Sequence, residues 1–227
     1  MQSFDQIFEQ AAGHKDGASA LEALLPEAGT AAALEARPDD RYLAEMTKCV
    51  FQAGFAWKVI EDKWEGFEKA FFGFVPGRIT ALSDEDLDAF LLNREIVRNG
   101  QKIKATRDNA GFVAGLAREH GSVGAFFAGW PEGDFTGLWE VLKDRGARLG
   151  GMTGQMFLRR VGVDTPIMSR DVVVALIREG VVDKAVSAKR DLAKIQEAFD
   201  TWRGQSGRKL AQISRVLAAS VGPANGD

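Results

Sequence analysis

The sequence predicts an all-α protein. Apolar residues recur at spacings of three and four along nearly every segment, and alternating β-branched runs are scarce. Residues suited to helix N-termini also stand ahead of apolar stretches that glycines then close. Residues 1–36 read as an N-terminal helical extension. Asp39 or Asp40 caps a helix running through Met46 and Val50 towards Gly54, because a short carboxylate satisfies the free N–H groups of a first turn. Pro76 stands where a helix begins, a position at which its missing N–H costs nothing. Ser83, with Asp86 three residues later, forms an acidic capping box opening 86–92. Asn99 caps a long helix over 103–119. Gly121, Gly129, Gly133 and the glycine-rich stretch 146–154 punctuate the middle of the chain. The last third offers helices over 172–179, 188–203 and 208–220, separated by Gly180 and by Gly204 and Gly207. The apolar run 172–177 has the composition of a buried strand, but Ser169 before it and Gly180 after it are the flanks of a capped helix.

No repeat of 20–50 residues and no low-complexity linker interrupts the chain. We expect one compact body over 37–220, made of two interleaved lobes to which helices from both chain ends contribute, and a flexible tail over 221–227. Its 227 residues, 45% of them hydrophobic, suffice for a substantial core. A single cysteine, Cys49, excludes a disulfide framework, and with only His14 and His120 beside it no Cys/His zinc site can be assembled. No apolar run reaches 18 residues, and the opening MQSFDQIFEQ has neither a cationic nor an apolar signal region. The expectation is a soluble, cytoplasmic, monomeric protein with no membrane partner and no cofactor.

The net charge of −3 hides an asymmetry. Of the 29 basic and 32 acidic side chains, residues 1–92 carry 8 and 17, leaving 21 and 15 for residues 93–227. The basic residues of the second part cluster: Arg94, Arg98, Lys102, Lys104 and Arg107 in one segment, Lys143, Arg145, Arg148, Arg159 and Arg160 in another. One electropositive face turned to phosphates accounts for this, and so do ordinary solvated helix faces. The stretch 146–155 bears on the choice. It lies between an amphipathic helix carrying Leu138, Val141 and Leu142 and another carrying Met156, Phe157 and Val161. Helix, glycine hairpin, helix is a pattern whose glycines let backbone approach DNA while the second helix's free N–H groups hold a phosphate. The alternative is a plain interhelical turn. On the DNA reading, the N–H groups around Gly151, Thr153 and Gly154 and the side chains of Arg148 and Lys102 meet the phosphates of double-stranded DNA.

Three pieces in order, Phe51-Gln-Ala-Gly-Phe-Ala-Trp57, then Ile96-Val-Arg-Asn-Gly-Gln-Lys-Ile-Lys104 with Asn109-Ala110, then the hairpin Gly146–Gly162, resemble DNA-3-methyladenine glycosylase I of the helix-hairpin-helix glycosylase superfamily. The resemblance spans about residues 38–170. It implies a two-lobed helical fold with the base pocket between the lobes. It also implies cleavage of the N-glycosidic bond of an alkylated purine flipped out of duplex DNA. The family's zinc cysteines and histidines have no counterparts in this chain, its N-terminal pocket aromatics are missing, and its pocket glutamate falls on Cys49. A thiol cannot accept two hydrogen bonds from an adenine edge as a carboxylate does.

Within the resemblance, Trp57 is the candidate to stack on the extruded base and to attract a cationic methylpurine, its alternative being a core tryptophan beside Phe55 and Ile60. Gln52, Phe55 and Cys49 complete the candidate base pocket, with Gln52 supplying an amide to the base edge. Cys49 itself reads as a small buried side chain, since no histidine or cation cluster adjoins it in sequence. Val163-Asp164-Thr165 is similar to the Asp-Thr pair that other branches of the superfamily place after the hairpin. A carboxylate there stabilises the positive charge developing on the deoxyribose and orients the attacking water. Asp164 is therefore the candidate catalytic residue, Asp171 is its reserve, and a helix cap is the alternative role for Asp164. Arg159 and Arg160 occupy the place where a bifunctional relative would carry a Schiff-base lysine. A guanidinium forms no imine, so the expected chemistry is monofunctional hydrolysis. The other reading is a catalytically silent relative that recognises distorted duplex.

Overall fold

The computed structural model describes residues 1–183 and 189–222, and among them every regular element is helical. In chain order these are α1 (Phe4–Gly13), α2 (Ala18–Glu22), α3 (Ala31–Ala36), α4 (Asp39–Gln52), α5 (Trp57–Asp62) and α6 (Trp64–Ala70), then a 3₁₀ turn at Phe72–Phe74. They continue with α7 (Pro76–Thr80), α8 (Asp84–Phe90), α9 (Gly100–His120), α10 (Val123–Ala128) and α11 (Phe135–Arg145). Last come α12 (Met152–Val161), α13 (Arg170–Arg178), α14 (Lys189–Ser206) and α15 (Leu210–Ala219). No described helix is long and apolar enough to cross a membrane. The start expected at 188 and the tail from 223 onwards lie outside the described residues.

Local chemistry explains most boundaries. Pro76 is the first residue of α7, Ser83 and Asp86 exchange both bonds of a capping box on α8, and the Asn99 side chain accepts from Lys102 N. Ser169 caps α13, so the run 172–177 is helical. The cap expected from Asp39 differs: α4 begins after Pro38, and the Asp39 carboxylate instead accepts from Val123 N at 2.9 Å, capping α10. A carboxylate at one helix start is thus spent on another, which sequence spacing cannot reveal.

The chain divides into two compact units. The first contains residues 1–28, 131–138 and the described part of 164–227. There α1 packs on α15, and Phe135, Phe199 and Trp202 meet edge to face, with centroids 5.4 and 5.7 Å apart. The segment read as an N-terminal extension is therefore divided, since residues 1–28 are integral to this unit and 29–36 go with the other.

The second unit contains residues 29–130 and 139–163. Helix α4 is its centre, packed against α9 and α12. Beneath α4 lies a run of aromatic rings in which Phe67 meets Phe51, Trp64 and Phe71, and Phe74 meets Trp64 and Phe71. Tyr42 is fully buried and donates its hydroxyl to Leu34 O at 2.8 Å, tying α3 to α4.

Two buried polar side chains of α9 shape the ends of neighbouring helices. Lys102, only 6% exposed, donates Nζ to Phe51 O at 3.0 Å and Ala53 O at 2.6 Å, placing a cation on the carbonyl end of α4. Asn109, fully buried, clamps the hairpin: its Nδ2 donates to Ala147 O at 3.1 Å and its Oδ1 accepts from Ala147 N at 2.7 Å. Gly154, in the first turn of α12, lets that helix close on the hairpin. A Cβ there would penetrate the Leu149 carbonyl oxygen and lie 3.2 Å from Leu142 Cδ1.

Gly154→Ala should therefore destabilise the protein by about 1–3 kcal/mol through overpacking against backbone. Gly111→Ala, on the exposed side of α9 with nothing near its added methyl, should stabilise it by about 0.5–1 kcal/mol. Urea titration of both variants checks the pair, and equal effects would contradict the packing described for Gly154.

Candidate functional site

One end of α4 and one face of α12 enclose a cavity of about 300 Å³, built wholly within the second unit. That lies at the small end of the pockets that hold a single small molecule, roughly 300–1,000 Å³. From α4 come Cys49 and Gln52, three residues apart and so on one face. From α12 come Met152, Met156 and Arg160, a stripe at four-residue spacing, together with Thr153. The connection Ala53-Gly54 and the first residue of α5, Trp57, complete the wall. Gly54 has φ +73°, a left-handed conformation that suits glycine, and Phe55 N then donates back to Gln52 O at 3.1 Å. The Lys102 ammonium holds this turn from below and lies 4.6 Å from the Phe55 ring centroid.

The electrostatic centre of the cavity is Arg160. Its Nη1 donates to Gln52 Oε1 at 2.6 Å, to Glu45 Oε1 at 3.1 Å and to Cys49 Sγ at 3.6 Å. Its guanidinium carbon stands 4.9 Å from the Trp57 ring centroid. A guanidinium only donates, so Gln52 must turn its oxygen towards it. The opposite end of that amide, Nε2, then has no partner, although Gln52 is only 2% exposed. Cys49 donates its S–H to Glu45 Oε1 at 3.7 Å. Burial pushes the Cys49 thiol up to about 12, with Arg160 pulling against it and Glu45 adding to the rise.

Several sequence expectations meet this geometry directly. Trp57 is half exposed, at 50%, so it is no core tryptophan. Gln52 and Cys49 line the cavity, while Phe55 is exposed beside it. The Arg160 guanidinium lies against the Trp57 indole, half of whose surface stays exposed. Lys102 as a phosphate ligand is corrected: it is buried, and its ammonium is engaged by the carbonyls ending α4. Burial, followed by the Arg148 charge, lowers its affinity for a proton below that of ordinary lysine.

At the hairpin, Gly151 has φ +60° and no side chain caps α12. The first intrahelical bond comes from Gln155 N to Gly151 O, leaving the N–H groups of Met152, Thr153 and Gly154 ahead of it. Gly151 is exposed, Thr153 half-buried and Gly154 buried. Arg148 is exposed, holds a φ of +59° and donates to Gln101 Oε1. In the first unit, the two carboxylate oxygens of Asp164 accept from Leu210 N at 2.9 Å and Ala211 N at 2.8 Å. The cap role is thus real, though it serves the distant α15 and not the helix that follows Asp164. Asp171 is exposed in the first turn of α13. Among the described residues, no three His, Cys, Asp or Glu side chains gather as metal ligands.

Sequence reasoning missed Glu45 and the inward turn of Arg160. The one available signal was spacing, because Glu45 stands one helical turn before Cys49 and so shares its face.

The methyladenine glycosylase family model matches residues 35–144. A solved 3-methyladenine DNA glycosylase I is 25% identical, over 56% of this chain and 80% of that one, with a TM-score of 0.49. The 3-methyladenine DNA glycosylase I of Staphylococcus aureus is 23% identical, over 56% and 77%, also at 0.49. The 8-oxoguanine DNA glycosylase of Methanocaldococcus jannaschii is 16% identical but covers 92% of this chain and 91% of its own, at 0.53. This last likeness extends over nearly the whole chain and identifies the fold as the helical DNA glycosylase fold.

A thiol held near 12 is almost entirely protonated at pH 8. Native Cys49 should therefore react with a disulfide reagent at least a hundredfold more slowly than the urea-unfolded chain. Comparable rates in stopped-flow labelling would contradict the environment described for it.

Proposed function

We propose that this chain, related over residues 35–144 to the methyladenine glycosylases, hydrolyses the N-glycosidic bond of an alkylated purine flipped out of duplex DNA. The observation that carries the reading is that Met152 and Thr153 belong to two features at once. They open α12, whose N-terminus is uncapped, and they line the cavity that holds Trp57. A phosphate on those N–H groups and its own extruded base in the cavity then belong to one nucleotide. Arg148, exposed on the hairpin, adds a charge to the same backbone contact.

In the reaction, the bond between C1′ and the base nitrogen breaks and its electron pair leaves with the base. Water oxygen adds to C1′, the alkylated base leaves uncharged, and the water's proton passes to solvent. Stacking on Trp57 holds the base out of the helix, and the Gln52-Ala53-Gly54 wall sets its edge. Arg159 and Arg160 provide no amine to form an imine, so the product is an abasic site and not a nicked strand.

Incubating the protein with duplexes that each carry one lesion, and identifying released base by chromatography, tests this. Base release with no strand cleavage is expected, with DNA affinity falling tens-fold from low to physiological salt as about three phosphates are neutralised. Trp57→Ala should lower single-turnover release at least tenfold while leaving the melting temperature and DNA affinity nearly unchanged, because stacking forms only after extrusion. Asp164→Asn should lower the melting temperature, because the carboxylate accepts from Leu210 N and Ala211 N at the start of α15; an unchanged melting temperature would contradict that cap. Duplex binding without release of any base would establish the silent DNA-binding relative instead.

A further inference from the structure

We propose that the cavity takes N-alkylated purines whose substituent is larger than methyl, the substituent lying against the thioethers of Met152 and Met156. The inference rests on the reading of the cavity as a pocket for an alkylated base, and it names the class of alkyl group accepted there.

The two helical walls of the cavity differ in kind. On the α4 side stand Cys49, Ala53 and Gly54, whose side chains are short or absent. On the α12 side stand Met152 and Met156, one turn apart and so aligned along one face. Methionine is unbranched, turns about three side-chain bonds and carries a polarisable sulfur, so it adapts to irregular shapes and makes favourable contacts with aromatic rings. A β-branched residue at the same place would be held to one rotamer by the helix. Met156 is half-buried, whereas Met152 is 52% exposed. The thioether wall therefore runs from the interior of the cavity to its mouth, and a substituent that outgrows the interior extends along it towards solvent. Charge does not oppose an apolar group there. Arg160 is the charged side chain of the lining, and its Nη1 is already committed to Gln52, Glu45 and Cys49. An alkyl group entering the cavity thus displaces water from sulfur, methyl and indole surface and not from an unpaired ion, and each methylene buried favours binding by about fourfold. A rigid pocket shaped to one methyl group discriminates against an extra methylene by about 10–200-fold. A wall of two mobile thioethers facing short side chains lacks the stiffness for that rejection.

Three lesions vary the substituent alone: 7-methylguanine, 7-ethylguanine and 7-benzylguanine share one ring system and one positive charge. For each, kcat/KM on an otherwise identical duplex is divided by the spontaneous rate of base loss, which removes differences in leaving-group lability. The normalised values for ethyl and benzyl should stay within threefold of the methyl value or exceed it. A parallel binding measurement uses 2′-fluorinated duplexes, which resist hydrolysis, and there 7-benzylguanine should bind at least threefold more tightly than 7-methylguanine. Met156→Ile replaces the mobile thioether by a branched side chain of similar size. It should lower the ratio of benzyl to methyl at least fivefold in both measurements. That ratio is read against the wild-type protein on the same duplexes, so any effect of the substituent on the duplex itself cancels. The proposal is overturned if the normalised benzyl value falls more than threefold below the methyl value, or if the fluorinated benzyl duplex binds no more tightly than the methyl one. It is also overturned if Met156→Ile leaves the ratio unchanged in a protein of native melting temperature. Absence of release from all three lesions would defeat the reading of the chain as a glycosylase, and the binding comparison in the unaltered protein would still decide which substituents the cavity accepts.

Discussion

The cavity depends on one guanidinium. Arg160 reaches from the end of α12 to the end of α4 and engages Glu45, Cys49 and Gln52 through a single nitrogen, with Trp57 beside it. Removing it would leave a half-buried carboxylate without its cation and a buried amide oxygen without its donor, each more costly than the bond itself. The network fixes side chains from three structural pieces: the last turns of α4, the start of α5 and the far end of α12. It also places a positive charge on the cavity wall.

Two further polar anchors allow Arg160 to act where it does. Lys102 satisfies the carbonyls at the end of α4, which permits the chain to leave the helix through Gly54 and return as α5 with Trp57 in place. Asn109 holds the hairpin by both polar groups of Ala147, and Gly154 lets α12 begin close against Leu149. All three lie on helices named by the same two sequence fragments that flank the Gln-Ala-Gly turn and the hairpin. Their function is mechanical: they place an uncapped helix start and an aromatic wall on opposite sides of one small cavity.

The sequence made the helices legible because their signals are local. Ser83 with Asp86, Pro76, Asn99 and Ser169 all act on backbone within three residues, and each does what its position predicts. The cavity was half legible: Gln52, Cys49 and Trp57 sit together because they lie within nine residues across one turn. The roles of Asp39, Lys102, Arg160 and Asp164 were not legible, since each spends its charge on a partner between 46 and 115 positions away. Charge type and helix position suggested solvent or phosphate for Lys102, whereas the real competitor was the carbonyl end of a neighbouring helix. The same limitation concealed Arg160, whose significance at the sequence level lay only in not being a lysine.

The account stands or falls on whether an extruded base enters the cavity of the second unit. The direct measurement is a crystal structure of the protein bound to a duplex containing one 2′-fluorinated 7-methylguanine nucleotide, which resists hydrolysis. The predicted result places the base against Trp57 in the cavity and an adjoining phosphate on the N–H groups of Met152 and Thr153. A modified base still stacked in the duplex, or one extruded to another surface with the cavity empty, would contradict it.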